Sequence, residues 1–352
     1  MFTLEAVKAK HGDCLLLHWG KKNDPKIALI DGGPDTIYAK FLKPRLKSLA
    51  KERGVDKIKF DLTMVSHIDD DHINGILALA DDIENGDAPA DIGALWFNSL
   101  EGLLKAKIAD GTTAQVTASV NAITAKIADP WERKVLASVP QGQELHAFAK
   151  RHGIFDTMND PYQPLILVKK EQKPAKAKIE GLSLTVLAPF ATELVKLQAK
   201  WKQLRKKSIT AAFKDASPYN LSSIVVLAEF EGKKAVLTGD ARGDKVLAGL
   251  KQRGLMKNGK CHVDLLKLPH HGSQNNVTAG FFEQLTADIY VVSGDHIKFP
   301  NPHKQAMEWL AKARGDEAYT IFCTYDLPYM RKIFKDKLRV PKANEISIAA
   351  EI

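Results

Sequence analysis

A chain of 352 residues with 45% hydrophobic content is long enough to bury one large core or two ordinary ones without covalent staples. Its three cysteines, Cys14, Cys261 and Cys323, lie far apart without C-x-x-C spacing, which argues against a disulfide framework or a cysteine zinc cluster. The formal net charge of +9 keeps a polyanionic partner in view, although lysine-rich surfaces also serve solubility.

The opening segment, Met1 to Lys8, alternates like a strand and lacks the regions of a signal peptide. No run approaches the ~18 apolar residues of a membrane span. A cytoplasmic protein with no membrane partner is expected. Residues 2–8, 13–19 and 27–31 read as strands, Thr36 to Glu52 as an amphipathic helix, and Phe60 to Val65 as a buried strand leading into His67. A mainly helical stretch follows over about 99–160, then strands near 164–169 and 182–187 and a basic helix near 189–207. Further strands are expected at Ile224 to Phe230, Ala235 to Thr238, Val263 to Leu268 and Ile289 to Ser293, with helices near 242–253, 277–285 and 303–313. Two sheet-forming halves around a helical insertion predict one α/β domain spanning 1–352, with helices outside a sandwich and chemistry where the halves meet.

Three basic stretches stand out: Lys43 to Lys47, Lys169 to Lys178, and Lys200 to Lys207 with Trp201 inside it. Each reads first as a solvated helix face. Nucleic acid, DNA or RNA, is the partner they would fit if they track a phosphate backbone.

The most informative segment is Ser66-His67-Ile68-Asp69-Asp70-Asp71-His72, which packs two histidines and three aspartates directly after an apolar strand. Carboxylates this close repel one another and need solvent or a bound cation. In an extended loop His67, Asp69 and Asp71 alternate onto one side, and His72 follows at the start of the next helix. An N-capping acidic cluster would explain one aspartate, not this pattern. Leu237-Thr238-Gly239-Asp240 and Leu268-Pro269-His270-His271-Gly272-Ser273 each end another apolar strand in residues of ligand type. Adjacent histidines point in different directions, so one of His270 and His271 is expected to bind metal while the other packs or donates a hydrogen bond.

Taken together these segments resemble the metallo-β-lactamase superfamily, and most closely the hydrolase domain of competence (DNA-uptake) proteins. Gly12-Asp13-Cys14, Leu29-Ile30-Asp31-Gly32-Gly33 and Asn301-Pro302-His303 extend the likeness along the chain. The resemblance implies an αββα sandwich with a helical insertion. It implies a first metal faced by His67 and Asp69, a second faced by Asp71 and His72, Asp240 bridging, and His271 or else His270 completing the second site. It also implies that Asp31 orients a ligand. The superfamily usually has a histidine where this chain has Asp69, and often a third histidine for the first metal. Only His146 and His152 lie in the corresponding interval, and both read as surface histidines of an amphipathic helix.

Two divalent ions, zinc first and manganese also tolerated by an oxygen-rich set, would supply hydroxide at neutral pH. Asp71 or Asp240 would orient it, His303 would serve as general acid, and Ser273 and Lys298, with Lys267 if it is not turned into the structure, would contact a phosphate. His11, His18, His262 and His296 are expected to pack or to be exposed. A phosphodiesterase or nuclease is the expected activity. The alternatives are a small-molecule phosphoesterase or amidase on the same site and a non-catalytic regulatory module.

Overall fold

The computed structural model describes residues 1–99, 139–163, 165–168, 176–191, 194 and 222–352. Apolar alternation near the N-terminus forms β1 (Phe2–Val7), β2 (Cys14–Lys21) and β3 (Asp24–Gly32), followed by β4 (Ile58–Val65) and β5 (Ala90–Phe97). The second half supplies β6 (Lys176–Ile179), β7 (Leu182–Ala188), β8 (Val225–Phe230), β9 (Lys233–Leu237), β10 (Cys261–Lys267), β11 (Leu285–Val292), β12 (Thr320–Cys323) and β13 (Leu338–Arg339). The last strand, β14 (Ser347–Glu351), returns to the first sheet. The sheets run β14-β1-β2-β3-β4-β5 and β13-β12-β11-β10-β9-β8-β7-β6.

Strands buried on both faces divide their side chains by parity. On β2, Leu15 and Leu17 point between the sheets, while Cys14 and Leu16 point toward the helices. The layer between the sheets contains Trp19, Met64 and Trp96 from one side and Val186, Val226, Leu237 and Leu265 from the other. Helices α1 (Lys43–Arg53), α2 (Asp70–Glu84) and α3 (Val139–Arg151) cover the first sheet through Leu46, Ile73, Ile76 and Phe148. Helices α4 (Gly243–Gln252), α5 (Ala279–Gln284), α6 (Lys304–Arg314) and α7 (Pro328–Phe334) cover the second through Val246, Phe281, Met307 and Met330. Helix, sheet, sheet and helix make the αββα sandwich of the metallo-β-lactamase fold. Among the described residues no helix is long and apolar enough to cross a membrane.

The helix expected over 36–52 is interrupted. A turn at Asp35–Ile37 passes through a π turn, Tyr38–Leu42, before α1 begins. Pro44 has no N–H for the carbonyl one turn back, so the regular ladder cannot run through it. The strand expected at 164–169 does not form among the residues described there. Residues 165–167 are irregular and Val168 makes a single bridge to Phe190. Asn98 takes over the ladder's role, because its side-chain amide bonds both Ile166 N (2.8 Å) and Ile166 O (2.9 Å). β5 escapes a reading by apolar alternation because Gly93 interrupts it. A Cβ there would sit 2.4 Å from Phe60 O, so glycine lets the neighbouring strand approach.

Of the expected helical insertion, 100–138 lies outside the described residues, and α3 with a short turn at Phe155–Thr157 is what is described. The basic helix near 189–207, with Lys200 to Lys207, also falls almost wholly outside them. The first basic stretch is largely neutralised: Lys43 pairs with Asp82 at 2.5 Å, and Arg45 pairs with Glu5 at 2.6 Å and Glu52 at 2.7 Å.

Candidate metal centre

Parallel pairing aligns the carboxyl ends of β3 and β4 in one sheet and of β9, β10 and β11 in the other. The residues following those ends converge, as expected for a site at the strand ends of an α/β sandwich. Past β4, Asp69 is the extended N-cap of α2, and the loop turns His67, Asp69, Asp71 and His72 inward, each no more than 6% exposed. Asp70 is half-buried and receives Gln141 Nε2 at 3.2 Å. Past β9, Gly239 (φ 49°) gives the turn that delivers buried Asp240.

Asp240 is the hub. Its Oδ1 lies 3.3 Å from His72 Nε2 and 3.4 Å from His271 Nε2. Its Oδ2 lies 3.3 Å from His270 Nε2 and 3.8 Å from His67 Nε2, and His67 Nε2 is 3.7 Å from Asp69 Oδ2. The buried Nε2 atoms of His67, His72 and His271 and the Oδ1 of Asp240 make none of these approaches with hydrogen-bond geometry. A tetrahedral ion with bonds of about 2.1 Å holds its ligand atoms about 3.4 Å apart. Buried ligand-type atoms at that spacing without hydrogen bonds fit a divalent cation, since with neither a cation nor a hydrogen bond their desolvation would go uncompensated. Asp13, His72, Asp240 and His271 together form a buried group able to hold a metal ion.

The far side of each ring is held as a metal ligand requires. His72 Nδ1 lies 2.8 Å from Asp31 Oδ2. His67 Nδ1 lies 3.0 Å from Ser66 Oγ, which in turn donates to Asp31 Oδ2 at 2.7 Å. His270 Nδ1 lies 2.9 Å from Asn276 Oδ1, whose amide nitrogen donates to the Asp240 carbonyl at 3.0 Å. His271 Nδ1 lies 2.9 Å from Ser293 Oγ.

The expectation that one histidine of the pair faces away is corrected. His270 (φ 45°, ψ 50°), His271 (φ 54°, ψ 27°) and Gly272 (φ 77°) form a left-handed turn. In extended chain adjacent side chains diverge, but this turn wraps both rings around Asp240, with centroids 5.8 Å apart. Non-glycine residues held there cost of order 1–3 kcal/mol each, a strain that concentrates at functional sites. His270 comes to the Oδ2 side, beside His67, rather than to the side of His72.

Burial drives the His67 ring down to about 3, which keeps it neutral, the form that binds metal, and it also lowers His270. Burial pulls His72 the same way, but the carboxylates of Asp240 and Asp31 outweigh it and raise its pKa. Asp240 is itself held well below the usual carboxylate range against its burial by His270, His271 and His72. Asp71 acts electrostatically on both His67 and His270.

The other expected residues sort differently. His303 caps α6, its Nδ1 accepting from Gln305 N at 3.2 Å, and its backbone N–H donates to Gly272 O at 3.0 Å. Ser273 is buried and its Oγ accepts from Asn275 N at 3.3 Å. Lys298 lies at the surface, 3.3 Å from His11 Nε2. Lys267 is turned inward, fully buried on Asp13 Oδ2 at 2.6 Å, which removes it from the phosphate contacts. His146 is buried edge-on against Phe155 rather than at the surface, and His152 stacks on Phe148. His18 packs on Glu5, His262 lies by Thr286, and His296 by Pro302 O. Asp13, Ser66, Asn276 and Ser293 are the residues sequence reasoning missed. Only Asp13 carried a signal, the Gly12-Asp13 turn opening β2.

No family model and no curated relative matches the chain. Its backbone is similar to that of a diphosphatase of the PhnP family, with 10% identity, coverage of 99% of this chain and 98% of that one, and a TM-score of 0.41. It is similar to the metallo-β-lactamase fold protein YhfI from Bacillus subtilis, with 10% identity, 99% of each chain covered and a TM-score of 0.39.

Proposed function

We propose that this single-domain chain is a metal-dependent phosphodiesterase, with nucleic acid as its substrate class. The observation that carries the reading is the convergence of four histidine Nε2 atoms on the two oxygens of Asp240 at 3.3–3.8 Å. His67, Asp69 and His270 would hold one divalent ion with Oδ2, and His72 and His271 a second with Oδ1. Zinc suits the histidines, and manganese is admitted by the carboxylates. When bound, such a pair supplies Lewis-acid charge and lowers the pKa of water.

The chain's own groups divide the remaining work. Asp71, buried and close in charge to His67 and His270, would accept a proton from an attacking water and orient it. Ser273 and Lys298 would donate to non-bridging phosphate oxygens. His303, whose Nδ1 accepts from its own helix, has Nε2–H left to donate a hydrogen bond to a leaving oxygen. The likeness of the His67–His72 and His270–Ser273 motifs to the competence branch, and the Lys200 to Lys207 stretch, support a polynucleotide over a small ester.

The test is hydrolysis of single- and double-stranded DNA, RNA and a chromogenic phosphodiester by purified protein with zinc, manganese or chelator. Cleavage of a polynucleotide, abolished by chelator, is expected. Turnover of small phosphoesters or amides alone would transfer the assignment to the esterase or amidase reading. No metal-dependent turnover of any substrate would leave the regulatory one.

A further inference from the structure

Behind His271 lies a polar chain that the hydrolytic reading does not use. Lys267, at the end of β10, is fully buried and donates from Nζ to Asp13 Oδ2 at 2.6 Å and to Leu268 O at 3.1 Å. Asp13, equally buried, precedes β2 in the opposite sheet, 254 positions away. Its Oδ1 accepts a hydrogen bond from Ser293 Oγ, just past the end of β11. Ser293 Oγ in turn lies 2.9 Å from His271 Nδ1.

We propose that Lys267, Asp13 and Ser293 are positioning residues that direct a proton onto His271 Nδ1 and so leave its Nε2 bare toward Asp240. The inference rests on the metal-centre reading above and adds a reason why this nitrogen is available. It follows from donor counting. An ammonium can only donate, so Lys267 holds Asp13 as an acceptor. A carboxylate can only accept, so the one proton of Ser293 must point at Asp13. The Ser293 oxygen then has only lone pairs to offer His271, and Nδ1 must carry the hydrogen.

Asp13 belongs to the buried group able to hold a metal, but the geometry gives it this indirect role. Its Oδ1 is 3.3 Å from His271 Nδ1, the opposite side of the ring from Nε2, and Oδ2 is taken by Lys267. A buried ion pair is weak evidence of a stability role, because apolar replacements are often neutral. Placed behind a ligand, it sets that ligand's tautomer and bearing.

The test uses full-length protein labelled with 15N-histidine, in wild type, Asp13→Asn, Lys267→Met, Ser293→Ala and Ser293→Thr. Imidazole 15N spectra report the tautomer without zinc. Chelator-competition titration reports zinc affinity, and thermal melting confirms folding. The wild type is expected to show His271 with hydrogen on Nδ1. Asp13→Asn, whose amide can donate to Ser293 and let its hydroxyl turn toward the ring, should mix tautomers and weaken one of two zinc equivalents by about 10- to 100-fold. Lys267→Met, which removes the donor that fixes Asp13, should do the same. Ser293→Ala should weaken zinc through the lost contact while Asp13 Oδ1, 3.3 Å from Nδ1, still holds the hydrogen there, and Ser293→Thr, which keeps the hydroxyl, should restore zinc affinity. A wild type with hydrogen on Nε2 overturns the relay even if every variant misfolds. So does unchanged tautomer and zinc affinity in folded Asp13→Asn and Ser293→Ala, while two bound zinc ions in the wild type would leave the metal centre standing. A wild type that binds no zinc overturns both.

Discussion

Asp31 Oδ2 lies 2.8 Å from His72 Nδ1 and brings an acceptor to the back of a ring whose Nε2 faces Asp240. Asp31 does so from a left-handed backbone (φ 58°), and its Oδ1 also receives Ser66 N at 2.7 Å. Asp31→Asn should therefore weaken metal binding by about 10- to 100-fold while the chain still folds. Chelator-competition titration measures this, and wild-type affinity in the variant would show that the carboxylate does not orient His72.

Asp240→Asn and Asp71→Asn should each abolish metal-dependent hydrolysis and leave the far-UV circular dichroism unchanged, since each removes charge at nearly constant volume. Metal content separates them. Asp240→Asn should lose both ions, because its oxygens serve both sides of the centre, whereas Asp71→Asn should retain at least one. Full activity in both variants would refute the assignment of these carboxylates.

Glu5 predicts an acid limb to stability that is independent of metal. Burial raises its pKa, but His18, the hydrogen bonds and charge of Arg45, and Ser347 bring it from 4.5 to about 2. A depressed carboxyl stabilises the fold above its unfolded pKa and loses that contribution as pH falls through the folded value. The loss should run from pH 4.5 toward pH 2 and amount to on the order of 3 kcal/mol. Urea unfolding at stepped pH should show this limb in the wild type and a flatter one in Glu5→Gln. Parallel profiles would dismiss the pairing as a source of stability.

Gly75 on α2 allows that helix to touch the end of β3. A Cβ at Gly75 would lie 1.9 Å from Gly32 O, a backbone atom that cannot rotate away. Gly75→Ala should destabilise the fold by about 3 kcal/mol, the upper range for overpacking, and should weaken metal binding because α2 carries Asp71 and His72. Gly54→Asn is the control. Gly54 meets nothing within 4 Å and has φ 66°, a conformation asparagine tolerates. Equal midpoints for the two variants would mean α2 can shift freely.

How much could be read before folding varies along the chain. The strands leading to His67, Asp240 and His270 were legible because apolar runs ending in ligand-type residues leave a local pattern, and so was the αββα layering. β5 was not, since Gly93 answers to Phe60 on a neighbouring strand, nor was the irregular path at 165–168, since Asn98 satisfies Ile166 from 68 positions away. The direction of a side chain was the larger gap. The pair His270-His271 diverges in any extended reading and converges only through a left-handed turn.

By itself, then, the amino-acid order determined which residue types stand at the strand ends, because burial of apolar runs is a local matter of period and composition. Only the tertiary structure decided which atoms face one another: that His270 shares the Oδ2 side of Asp240 with His67, and that Lys267 turns inward to Asp13 across both sheets. Those choices depend on backbone dihedrals at single residues and on partners hundreds of positions apart, and neither leaves a periodic trace in the sequence.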